Sequence, residues 1–90
     1  MERLGILDGK QATLRILLIL HEHSILAQEE LLEIALENMI EQTAAYSSIK
    51  ALNALGLIFE RKNKKQSEIA LTQKGVETAE LVELIKNTLQ

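Results

Sequence analysis

The side chains of this 90-residue chain whose clustering could do chemistry are chiefly cations. The densest group is Arg61-Lys62-Asn63-Lys64-Lys65, with Lys50 a little upstream. Residues 50–65 hold five basic side chains against Glu60 alone, a balance of +4. Residues 1–49 hold three basic and eight acidic side chains (−5), and residues 66–90 hold two lysines and four glutamates (−2), which brings the whole chain to −3. A local positive patch on an acidic chain is an electrostatic footprint for a polyanion. The same run also suits a solvated hairpin tip whose lysines block edge-to-edge pairing.

Other chemistry is sparse. His21-Glu22-His23 invites a metal reading, but positions i and i+2 of a helix point apart. No cysteine and no third histidine is present to complete a ligand set, and disulfides are excluded for the same lack of cysteine. Histidine near a helix C-terminus is favoured by the dipole in any case. The sequence has no nucleophile–base pair, glycine-rich phosphate loop or metal-ligand cluster, so no enzymatic activity, catalytic residue, metal or cofactor is expected.

The elements that position the cations follow from pattern. Apolar residues make up 47% of the chain and aromatics 2%, so the core is expected to be aliphatic and helix-packed. Proline is absent, and no repeat or linker interrupts the chain, which reads as a single domain over residues 1–90. Asp8 and Gln11 resemble a capping box before a helix from about Lys10 to Glu22. That helix carries Leu14, Leu17 and Leu18 on one face and Ile16, Ile19 and Leu20 on another. Ser24-Ile25-Leu26 suits a brief strand or an extended link. A second helix from Gln28 to about Leu36 starts with acid in its first turn but with Ala27, a weak cap, before it. After the connection Asn38-Met39-Ile40, a third helix spans about Gln42 to Leu55, with Ala45, Ile49, Leu52 and Leu55 expected inside. Gly56 suits the residue just past its end. A strand at 57–62, a polar turn at 63–66, a return strand at 67–71 and a last helix capped by Thr72 complete the order. The fold class is therefore mainly α with a small β-hairpin: helix, strand, helix, helix, strand, strand, helix.

With that order in place, Ser47-Ser48-Ile49-Lys50-Ala51-Leu52-Asn53-Ala54-Leu55-Gly56-Leu57-Ile58 resembles the recognition helix and first wing strand of MarR- and ArsR-type winged helix-turn-helix regulators. Leu71-Thr72-Gln73-Lys74-Gly75 resembles the start of their final helix. The resemblance implies a transcription regulator that places its third helix in the major groove of double-stranded DNA and its wing on phosphate or in the minor groove. By position it assigns DNA contact to Gln42, Thr43, Ala44, Tyr46, Ser47 and Lys50, with Arg61, Lys62, Lys64 and Lys65 on the wing. Glutamine can pair adenine, and serine or threonine can serve bases or phosphates, while the cations give affinity with little sequence information. The chain departs from that pattern in having no arginine on its third helix, although arginine to guanine is the commonest specific contact. A protein–protein interaction module on the same fold is the alternative.

Two further expectations concern assembly and place. Val76, Ala79, Val82, Ile85 and Leu89 follow helical spacing after residue 72, with Leu81 and Leu84 on a second flank. This stripe, about residues 72–89, together with Ile16, Ile19 and Leu20, is expected to form a homodimer interface, with Val82, Ile85 and Leu89 at its centre. The longest apolar run is Ile16 to Leu20, too short for a membrane span, and the start lacks a secretory core, so a cytoplasmic protein without membrane contact is expected.

Overall fold

The computed structural model describes residues 9–64 and 66–89. The order is α1 (Gly9–His23), β1 (Ile25–Ala27), α2 (Gln28–Glu37), α3 (Gln42–Ala54), β2 (Ile58–Asn63), β3 (Gln66–Leu71) and α4 (Gln73–Leu89). The expected Asp8 cap lies outside the described residues. The architecture is α+β, four helices against a three-stranded antiparallel sheet, in the expected element order.

Helix α1 runs through the middle of the fold. Ala12, Ile16, Leu17, Ile19 and Leu20 are all buried, because α1 packs chiefly against α3 and also meets α2, α4, β1 and β3. This corrects one expectation: Ile16, Ile19 and Leu20 are at most 5% exposed and have no surface to offer a partner. The free apolar surface of α1 comes from Leu14, 46% exposed, and the half-buried Leu18. One polar contact crosses this interior, where the Thr13 hydroxyl donates to the buried Ser48 Oγ at 3.1 Å.

Ser24, in a left-handed backbone conformation (φ 70°), turns the chain from α1 into β1. Ala27 then precedes α2 without a side-chain cap, as expected. Only the returning half of a capping box forms, in which the Ala27 N–H donates to the Glu30 carboxylate at 3.2 Å. Leu31 and Ala35 bury the inner face of α2, and Asn38 closes its far end by donating to the Ile34 carbonyl at 2.8 Å. Ile40, 1% exposed, plugs the turn into α3.

Helix α3 buries Ala45, Ser48, Ile49 and Leu52. Leu55, expected inside, is 58% exposed because it is the capping residue, where the chain leaves the helical path. Gly56 follows at φ +76°. Its N–H donates to the Asn53 carbonyl and the Leu57 N–H to the Leu52 carbonyl, at 3.0 and 2.9 Å, which is a Schellman ending. Leu52 and Leu57 are both buried and supply its apolar contact.

The sheet order is β1-β3-β2, so β3 is central and Ile69, fully buried, anchors it to the helices. Pairing of β2 with β3 runs from Ile58↔Leu71 to Asn63↔Gln66, so the hairpin stays paired further toward its tip than the expected four-residue turn. Lys64 at that tip has φ 57°.

The start of α4 is tied to the end of α3. Thr72 caps α4 by accepting from the Gly75 N–H at 3.0 Å, while its hydroxyl donates to the Gly56 carbonyl at 2.7 Å. The Thr72 N–H donates to the Leu57 carbonyl at 3.0 Å, and Lys74 Nζ donates to the Leu55 carbonyl at 3.1 Å. Gly75 is buried here, and a Cβ at this position would overlap the Leu57 carbonyl oxygen. Backbone cannot retreat as a flexible side chain can. Gly75→Ala is therefore expected to lower unfolding stability by about 1–3 kcal/mol, the usual range for overpacking, read as a lower urea midpoint with an unchanged slope.

Candidate nucleic-acid interface

The buried stripe of α3 fixes what its opposite face presents. With Ala45, Ile49 and Leu52 turned inward, Gln42, Thr43, Tyr46, Ser47, Lys50 and Asn53 are all exposed, and Ala44 is half-buried. The structure thus brings the expected α3 residues onto one surface. Their chemistry is that of hydrogen-bond donors and acceptors with one cation, and among the described residues none is held in a side-chain bond that would have to break first.

The wing divides its charges between two faces. Side chains alternate along a strand, and buried Ile58 sets the helix-facing parity. Glu60 and Lys62 share that parity and turn toward the α3 side. Phe59 and Arg61 face the other way. Arg61 is paired there with its cross-strand partner Glu68, Nη2 to Oε1 at 3.2 Å. Among the described residues this is the one ion pair within 4.0 Å. Lys62 and Lys64 are exposed, and Lys65 lies outside the described residues. The four wing cations expected to act together are thus not equivalent: Arg61 is engaged on the outer face, whereas Lys62 stands on the α3 side.

Between α3 and the wing lies a recess of about 390 Å³ lined by Gln28, Tyr46, Ile49, Lys50, Asn53 and Glu60. A second recess of about 260 Å³ runs along the start of α2 to Gln66 and Ser67 at the base of the wing. Tyr46, 44% exposed, borders both and forms the ridge between them. Sequence patterning did not single out Gln28 or Glu60. Glu60 was recoverable from strand parity, since it lies two residues after an inward isoleucine. Gln28 was not, because only the tertiary packing brings the start of α2 beside Tyr46.

The histidine pair gathers no ligand set. Among the described residues no group of three histidine, cysteine or acidic side chains could hold a metal ion. No helix among them is long and apolar enough to cross a membrane.

No family model and no curated protein sequence matches the chain. Solved structures do. The crystal structure of SSV1 F-93 superposes with a TM-score of 0.75 at 22% identity, covering 87% of this chain and 88% of that one. A mutant of Lactococcus lactis ZitR in apo form gives 0.72 at 23% identity over 91% of this chain and 62% of that one. A transcriptional regulator from Clostridium thermocellum, Cth-833, gives 0.65 at 20% identity over 89% and 88%. At these identities the likeness establishes the fold.

The division of the wing has a measurable consequence. On the reading that this face meets duplex DNA, Lys62→Ala is expected to weaken that binding several-fold more than Arg61→Ala, in parallel fluorescence-anisotropy titrations at low salt. Equal losses would mean that Arg61 reaches the duplex as readily as Lys62 in spite of its place on the outer face. The exposed Arg61–Glu68 pair contributes little to stability, so both variants are expected to stay folded.

Proposed function

We propose that this chain, which has the winged helix-turn-helix fold, regulates transcription by binding duplex DNA as a homodimer. The observation that carries the DNA reading is the placement of Lys62 on the side of the sheet that also presents the polar face of α3. Helix α3 enters the major groove, where Gln42, Thr43 and Ser47 meet base edges. Lys62 and Lys64 meet phosphate, and Lys50 stands on α3 among the residues that face the groove; Lys65, outside the described residues, is given the phosphate role by the sequence alone.

The dimer reading rests on α4. Leu81, Leu84, Ile85 and Leu89 are each more than half exposed, a run of large apolar side chains that the chain's own core leaves uncovered. Beside them a groove of about 410 Å³ between α1 and α4 is lined by Leu14, Leu18, Val82 and Ile85, with Arg15 and Lys86 among its charged residues. A second copy applied by two-fold symmetry covers this surface and sets the two recognition helices about 34 Å apart, one turn of the duplex. The interface is therefore assigned to Leu14, Leu18, Leu81, Leu84, Ile85 and Leu89, with Val82 at its floor, in place of the buried Ile16, Ile19 and Leu20.

A protein partner is the second reading. Glu29, Glu33, Glu37 and Glu41 are exposed along α2 and the turn into α3, and they oppose the approach of a polyanion from that flank.

Salt separates the two. Binding to random duplex DNA is expected to fall steeply with added salt, and Lys62→Ala/Lys64→Ala to flatten the log–log slope by about 1–2. A wild type that binds no duplex at low salt favours the protein partner. For the dimer, sedimentation equilibrium at micromolar concentration is expected to give twice the chain mass, and Ile85→Glu to return the single-chain mass. A dimer that survives Ile85→Glu and Leu84→Glu places the interface elsewhere.

A further inference from the structure

Glu60 is the one carboxylate among residues 50–65. It pairs across the sheet with Ile69, which pairs in turn with Leu26, and both of these are buried. That row belongs to the helix-facing side of the sheet, and beyond the core it delivers Glu60 into the recess beside Lys50, Tyr46 and Asn53. The carboxylate is exposed at the rim of the core. It makes no ion pair within 4.0 Å, since the pair formed among the described residues is Arg61 with Glu68 on the opposite face. An anion in this position opposes any phosphate that approaches Lys50, so it subtracts from sequence-independent affinity. What it can accept is a hydrogen-bond donor.

Resting on the DNA-binding reading, we infer that Lys50 and Glu60 together form a base-reading site for one G·C pair. In the major groove guanine presents two acceptors, O6 and N7, and its partner cytosine presents the N4 amino donor beside them. An ammonium and a carboxylate lining one recess match that order: Lys50 donates to guanine and Glu60 accepts from cytosine N4. An A·T pair places its single donor between two acceptors and a methyl group beyond them, so it meets the same two side chains less completely. Phosphate satisfies Lys50 but is repelled by Glu60. The site therefore supplies guanine recognition on an interface whose helix α3 carries no arginine, and it filters out non-specific contact by the same charge.

The test is selection of binding sites from a randomised duplex library by wild type, Glu60→Gln and Glu80→Gln. Glutamine keeps the shape of Glu60 but carries both a donor and an acceptor and no charge. The Glu80→Gln control makes the same net-charge change on the exposed face of α4. Wild type is expected to select a G·C pair at one position. Glu60→Gln is expected to lose that preference by about tenfold or more, keep the remaining positions, and bind random duplex more tightly. Glu80→Gln is expected to return the wild-type motif. A wild-type motif without such a position, a preference that Glu60→Gln leaves intact, or an equal effect from Glu80→Gln overturns the inference while DNA binding stands. A wild type that binds no duplex removes both.

Discussion

The end of α3 and the beginning of α4 share one set of hydrogen bonds, and the geometry of the molecule depends on it. A helix leaves its last carbonyls without partners inside the helix. Here Leu57 and Gly56 satisfy two of them, and Lys74 reaches back from α4 to a third at Leu55. Thr72 completes the junction by capping α4 while holding the Gly56 carbonyl. Because Gly75 sits against the Leu57 carbonyl, the two helix ends approach more closely than any side chain permits. Little freedom is left between the helix that presents the polar face and the helix that presents the apolar stripe. A displacement of one is passed to the other through backbone rather than through adjustable side chains.

The core obeys a similar economy. With one tyrosine and one phenylalanine in the chain, and both of them 44% exposed, the interior of the described residues is aliphatic apart from Ser48. Leucine and isoleucine pack densely but carry no direction of their own. The Thr13–Ser48 contact is the directional element between α1 and α3, since it is satisfied only near one rotation and one register of α3. A polar pair inside an apolar crossing thus adds direction to the rotation that the buried stripe of α3 already favours.

Much of this was legible in the sequence because it follows from period and punctuation. Element order, the Gly56 ending, the Thr72 cap and the outward set Gln42, Thr43, Tyr46, Ser47 and Lys50 all come from local spacing. The misreadings have a common physical origin. A helix apolar on two faces can be central in its own domain or shared with a second copy, and periodicity is identical in both cases. Only the tertiary packing shows that α1 is central, with Ile16, Ile19 and Leu20 inside. Leu55 continued the helical stripe but fell on the capping residue, where the stripe no longer points inward. For the candidate interface, sequence marked the cations but not their division between two faces, because net charge carries no direction. Strand parity carries it, and parity is secure only once Ile58 and Ile69 are known to be buried.

The strand order carries one more consequence. With β3 central, β2 lies at the margin of the sheet, and one side of its backbone is left without a neighbouring strand. Such a margin is a template for a stray strand from another molecule, and Phe59 on the outer face makes it a sticky one. Glu60, Arg61 and Lys62 interrupt that template with three consecutive charges. The charges of the wing therefore oppose edge-to-edge pairing through the sheet, whatever ligand they also meet. At high concentration the same residues govern colloidal behaviour, so a wing stripped of them risks turning a dispersed protein into a fibrous one.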